Sequence, residues 1–154
     1  MEAIKKILVP IDFSGYSKNL LNYANNFAKK FQAKIFLVHV VEPIIYPVDF
    51  SMGQIDFPAT DSEIATKAKE ELHKLAETTI DKSIDSQVII KSGKPFVEIN
   101  ETARELDIDL IIIATHGHTG VEHLLFGSTA EKVVRKAPCP VLTLREPIKG
   151  FKFQ

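Results

Sequence analysis

The sequence predicts an α/β fold: a doubly wound parallel sheet of five strands with helices on both faces. Three observations predict it. Five short apolar runs recur along the 154 residues. The runs are largely continuous rather than alternating, the pattern of strands buried on both faces. Between them lie longer stretches whose apolar residues repeat with helical period. Strands that alternate with helices in this way imply parallel pairing and right-handed crossovers.

In chain order, Ile7-Leu8-Val9-Pro10-Ile11 reads as the first strand, and Leu20, Leu21, Ala24, Phe27, Ala28 and Phe31 share one face of the helix after it. Residues 35–41 form the second strand. Ile64, Ala68, Leu72, Leu75 and Thr79 stripe a second helix, with Asp61 or Ser62 as its cap. Val88-Ile89-Ile90 is the third strand. Phe96, Ile99, Ala103 and Leu106 mark a third helix, and Pro95 suits its first position. Residues 110–114 give the fourth strand. Ala130, Val133, Val134 and Ala137 form the stripe of a fourth helix closed by Pro138, and residues 141–144 are the fifth strand. The segment 42–61 is long for a strand-to-helix connection and carries Pro43, Pro47 and Pro58 among many apolar residues. It reads equally as a lid or partner-contacting loop and as a loop packed over its own domain. Residues 1–146 are expected to make one domain, followed by a tail at 147–154.

Composition narrows the function classes. With 19 basic and 20 acidic side chains the net charge is -1, which argues against a dedicated nucleic-acid binder. No apolar run approaches the roughly 20 residues of a bilayer span, so no membrane role is expected. The chain enters its first strand without a signal-peptide pattern, and one cysteine cannot form an internal disulfide. These features lead to the expectation of a cytoplasmic domain.

Ligands of doubly wound sheets bind beyond the carboxyl ends of the strands, where the strand order reverses. Asp12-Phe13-Ser14 follows the first strand, Glu42-Pro43 the second, and Thr115-His116-Gly117-His118-Thr119-Gly120 the fourth. Gly127-Ser128-Thr129 opens the last helix. Glycine-rich backbone leading into a helix start offers amide hydrogens to an anion. Gly127 would let the chain approach a phosphate, and a valine there is expected to block binding while the fold persists. The alternative is a glycine turn whose Ser128 caps its helix. Asp12 suits a ligand contact or a structural pairing, and Pro10 removes a ladder donor near its strand's end. The G-x-x-x-x-G-K-S/T phosphate loop, the dinucleotide fingerprint and the G-x-S-x-G elbow are all absent. His116, His118 and His123 lack supporting ligands for a metal site, and Cys139 reads as a small buried thiol.

The whole chain resembles a universal stress protein. The resemblance is carried by Lys6-Ile7-Leu8-Val9-Pro10-Ile11-Asp12-Phe13-Ser14, by Leu37-Val38-His39-Val40, by the segment from Ala114 to Gly120, and by residues 124–142. It implies the strand order 3-2-1-4-5 and a homodimer, here through the apolar edge strand Val141–Leu144. The ATP-binding branch of that family carries G-x-x-G, nine residues, then G-S/T. Gly117, residues 118–126 and Gly127-Ser128 match it, while Ala114 replaces the first glycine. If the backbone at Ala114 needs no positive φ, binding should survive the replacement. The resemblance places Pro10, Asp12, Val40 and Ile113 around an adenosine, with backbone bonds from Val40 to the adenine edge. It places Ala114, Thr115, His116 and Gly117 along the ribose and phosphates, and Gly127, Ser128, Thr129 and Ala130 at the phosphates. With no lysine in that loop, Mg²⁺ or Mn²⁺ is expected to share the phosphate charge.

The expected function is therefore an ATP-binding stress-response protein acting as a nucleotide-dependent sensor or signalling module. The alternative is a non-nucleotide homodimeric interaction module working through the 42–61 loop and the edge strand. Catalysis would amount to slow ATP hydrolysis at most, since no convincing general base is present.

Overall fold

The computed structural model describes residues 3–43, 61–115 and 127–145. The 44–60 part of the long connection, His116, Gly117 and the tail lie outside them. The described residues form β1 (Lys6–Pro10), α1 (Ser17–Phe31), β2 (Lys34–Val41), α2 (Asp61–Thr79), β3 (Ser86–Ser92), α3 (Pro95–Glu105), β4 (Leu110–Ala114), α4 (Ser128–Lys136) and β5 (Val141–Leu144). The strands pair in parallel in the order β3-β2-β1-β4-β5, as the resemblance implied.

Side-chain alternation along the strands divides the core in two. Ile7, Val9, Ile35 and Leu37 face Leu20, Leu21, Ala24 and Leu72 of α1 and α2. Leu8, Phe36, Val38 and Ile111 face Ile99, Ala103, Ala130 and Val133 of α3 and α4. Pro95 occupies the start of α3 as its fixed φ favours.

Three expectations need correction. Continuous apolar sequence implied burial on both faces, yet the edge strands β3 and β5 are only half-buried in their apolar parts. Apolar continuity does not register whether a strand has neighbours on both sides. Val134 belongs to the predicted stripe of α4 but is 45% exposed. Lys132 and Lys136 lie over the Phe96 ring of α3, so Val134, about 200° around the helix from each, turns away from α3. Finally, Gly127 rather than Ser128 occupies the cap position of α4, and no side chain among the described residues caps that helix.

The β1–β4 pair is paired only near its amino end. The register joins Ile7 to Leu110 and Leu8 to Ile111 and stops there. The Asp109 amide donates to the Lys6 carbonyl, whereas the Ile11 amide donates to Val38 on β2. Even-numbered residues of β1 therefore present their backbone groups to β4. Pro10 is one of them and has no N–H to give, so the ladder ends beside it.

Candidate functional site

A cavity of about 230 Å³ opens where β1 and β4 part, beyond the carboxyl ends of the strands. This is the place where the order of a doubly wound sheet reverses. Pro10, Val38, Val40, Ile113 and Ile99 supply its apolar wall. Ser14, Ser17, Thr115, Ser128 and Thr129 supply hydroxyls, and Asp12 is the charged carboxylate on its rim.

The β1 side is shaped by a tight exit turn. The Ser14 amide donates to Asp12 Oδ1 at 2.9 Å, which orients the carboxylate. Phe13 takes φ 59°, a left-handed conformation that bulky residues seldom adopt. Its ring meets that of His39 at a centroid distance of 4.6 Å, and His39 Nδ1 lies 2.7 Å from the Ile11 carbonyl oxygen.

The opposite wall is the start of α4. Glu131 is the first residue whose amide reaches a helical acceptor, the Gly127 carbonyl at 3.1 Å. The amides of Ser128, Thr129 and Ala130 precede it, without a side-chain cap, on residues lining the cavity. Such a cluster of amide hydrogens at the positive end of a helix suits an anion. Gly127 itself has φ -64°, which any residue adopts. Its need for a bare Cα is steric: a Cβ there would lie 2.9 Å from the Thr115 carbonyl oxygen. The Gly127 amide donates to that same oxygen at 2.7 Å. The close approach seen in the structure is thus backbone to backbone, between the end of β4 and the start of α4. Valine at 127 would strain this junction, so the fold expected to persist would do so only at a cost in stability.

Ala114 ends β4, and its φ is not positive. The backbone there makes no demand that only glycine could meet. Thr115 is fixed next to it, its amide 2.9 Å and its hydroxyl 3.3 Å from the Leu144 carbonyl oxygen.

The fold brings Pro10, Asp12, Val40, Ile113, Ala114, Thr115, Gly127, Ser128, Thr129 and Ala130 around the one cavity. His116 and Gly117 fall outside the described residues. The sequence-derived set omitted Ile11, Ser14, Ser17, Leu20, Val38, His39, Pro95 and Ile99, which also line it. The D-x-S-x-x-S spacing after β1 was the available signal for the two serines. For His39 the signal was its position beside Val40 at the end of β2. Among the described lining residues no lysine or arginine faces the cavity, so an anionic ligand relies on backbone amides, hydroxyls and any cation it brings. Cys139 lies elsewhere, against the α3–α4 side of the core. Burial, reinforced by the Asp109 charge, pushes its thiol pKa up and keeps it a poor nucleophile.

Comparison with known proteins agrees with this architecture. The profile of the universal stress protein family matches residues 3–145. A universal stress protein of Methanocaldococcus jannaschii is 32% identical over 145 residues, covering 94% of this chain and 84% of that protein. One of Bacillus subtilis is 30% identical over 145 residues, covering 91% and 98%. The universal stress protein UspA of Lactobacillus plantarum superposes with a TM-score of 0.71 at 27% identity, over 94% of this chain and 100% of that one. Two further folds of this kind were solved with nucleotides. One is in complex with cAMP (TM-score 0.66, 20% identity, 94% and 98% covered), and one, from Archaeoglobus fulgidus, is in complex with dAMP (0.64, 23%, 92% and 98%). With the family profile spanning nearly all of its length, the chain belongs to the universal stress protein family.

Proposed function

We propose that this protein binds ATP in the β1–β4 crevice and acts as a nucleotide-dependent sensor or signalling module in a stress response. The observation that carries the reading is the convergence of two chemistries on one cavity. The uncapped amides of residues 128–130 suit phosphates, and the wall of Pro10, Val40 and Ile113 suits a flat apolar base. Relatives of the same fold in complex with cAMP and dAMP support a nucleotide as the ligand class. In this reading Asp12 and the Val40 backbone hold the adenosine, Ala114 and Thr115 flank the ribose with His116 and Gly117, and Gly127 to Ala130 receive the phosphates. Because the described wall offers no lysine or arginine, Mg²⁺ or Mn²⁺ would neutralise phosphate charge there. Mass spectrometry of the supernatant from denatured, freshly purified protein should detect ATP, and calorimetry should show it rebinding. A clean supernatant together with no binding heat at millimolar ATP overturns the reading.

The same protein is proposed to pair with a second copy along β5. That strand is an edge, half-buried throughout, and the exposed Val134 turns away from α3 beside it. An open apolar edge is normally paired or covered. Sedimentation at micromolar concentration should give a dimer, and a monomer removes this assignment.

A further inference from the structure

We propose that His39 is a positioning residue that keeps the Val40 amide free for a ligand by taking that amide's place in the β1–β2 ladder. The rungs of the ladder show what is displaced. The Lys34 amide donates to the Lys5 carbonyl at 2.8 Å, and the register runs in step from Lys6 opposite Lys34 to Pro10 opposite Val38. Stepping two residues per rung sets the Val40 amide towards the Ile11 carbonyl. That bond is not made. The acceptor is instead reached by the side chain one residue earlier, with His39 Nδ1 at 2.7 Å from the Ile11 oxygen. A carbonyl only accepts, so Nδ1 carries the hydrogen and donates it. The Phe13 ring, held against the imidazole at 4.6 Å by a left-handed backbone, keeps the ring in place. Strained backbone of this kind persists only where the surroundings hold it. The Val40 amide is thereby left on the cavity wall with no acceptor among the described residues, where it can donate to a ring nitrogen of a heteroaromatic ligand.

The affinity part of this inference rests on the ATP reading; the hydrogen-bond exchange at Ile11 does not. Two variants separate the two. His39→Leu removes the donor, so the Val40 amide should close onto the Ile11 carbonyl and become protected from hydrogen exchange. ATP affinity should fall roughly tenfold, the equivalent of one lost hydrogen bond, while the melting temperature holds or rises. His39→Asn keeps a donor nitrogen at the position of Nδ1, so it should leave the Val40 amide unprotected and restore most of the affinity. Equal protection of Val40 in wild type and His39→Leu overturns the proposal whatever the ligand. So does a loss of affinity in both variants that follows a lower melting temperature, because that is a purely structural role. If the exchange pattern changes as expected but no variant, wild type included, binds ATP, then the ATP reading fails and the assignment of His39 stands.

Discussion

The two ends of the β1–β4 pair are built from the same backbone and treated in opposite ways. At the amino end, Asp109 Oδ2 accepts from the amides of Lys5 and Lys6, each at 2.8 Å. The Asp109 amide returns a bond to the Lys6 carbonyl at 3.0 Å, and Lys6 Nζ reaches the Leu106 carbonyl at 2.7 Å. At the carboxyl end, Pro10 has no hydrogen to offer β4, the Val40 amide has lost its ladder acceptor to His39, and the first amides of α4 have no side-chain cap among the described residues. Buried backbone groups are normally paired, so donors left open in a cavity are capacity for a ligand. On the proposed function, the difference separates stability from binding along one pair of strands.

Three substitutions test that separation, the largest effect first. Gly127→Val should damage both properties, because its side chain collides with the Thr115 carbonyl rather than with a flexible group. A loss of about 3 kcal/mol in chemical denaturation is expected, at the upper end of overpacking costs, with ATP binding abolished. A variant of wild-type stability would show that the β4–α4 junction relaxes freely. Asp109→Ala should act on stability alone. Removing a charged acceptor from two amides should cost about 2 kcal/mol, or a melting temperature lower by roughly 6 °C, with ATP affinity unchanged by calorimetry. Asp12→Ala should do the reverse: about a tenfold weaker ATP affinity, and a stability change under about 1 kcal/mol because the turn it closes is exposed. If Asp109→Ala weakened binding as much as Asp12→Ala does, the two ends would be coupled and the comparison would fail.

How much of this was legible in the sequence depended on the range of the interaction. Helix and strand periodicity is local, so the alternation of elements and the place of Pro95 were readable. The family resemblance then supplied the strand order and most of the cavity's lining. The role of Gly127 was readable only in part. Its sequence position marked it, but the atom that forbids a side chain is the Thr115 carbonyl, twelve residues earlier and brought close by the fold. Val134 followed the helical period, and its exposure arises because the layer ends beside α4 on the flank away from Phe96. His39 gave no sign of its bond to Ile11, since that contact needs the register of two strands and the shape of the turn after β1.

The smallest expected effect belongs to a region remote from both ends of the β1–β4 pair, where α1 and α2 meet. Asp81 pairs with Lys29 and also accepts from the Ser83 hydroxyl at 2.7 Å and the Ser83 amide at 2.9 Å. The Lys29 contact first, and then the Ser83 bonds, hold its carboxyl below the ordinary value of 3.8. A carboxyl whose folded pKa is depressed adds stability above its unfolded pKa, and that contribution disappears as pH falls through the folded value. Wild type should therefore exceed Asp81→Asn in melting temperature by a constant margin from neutral pH down to about pH 4, and the margin should shrink on further acidification. The side chains are 38% and 52% exposed, so solvent screens the pair and the margin should be small, shrinking further in high salt. ATP affinity at neutral pH should be the same in both proteins. A margin that grew in acid would reverse the sign of the linkage, and a change in affinity would mean that the α1–α2 junction reaches the crevice through α1, whose first turn lines it at Ser17 and Leu20.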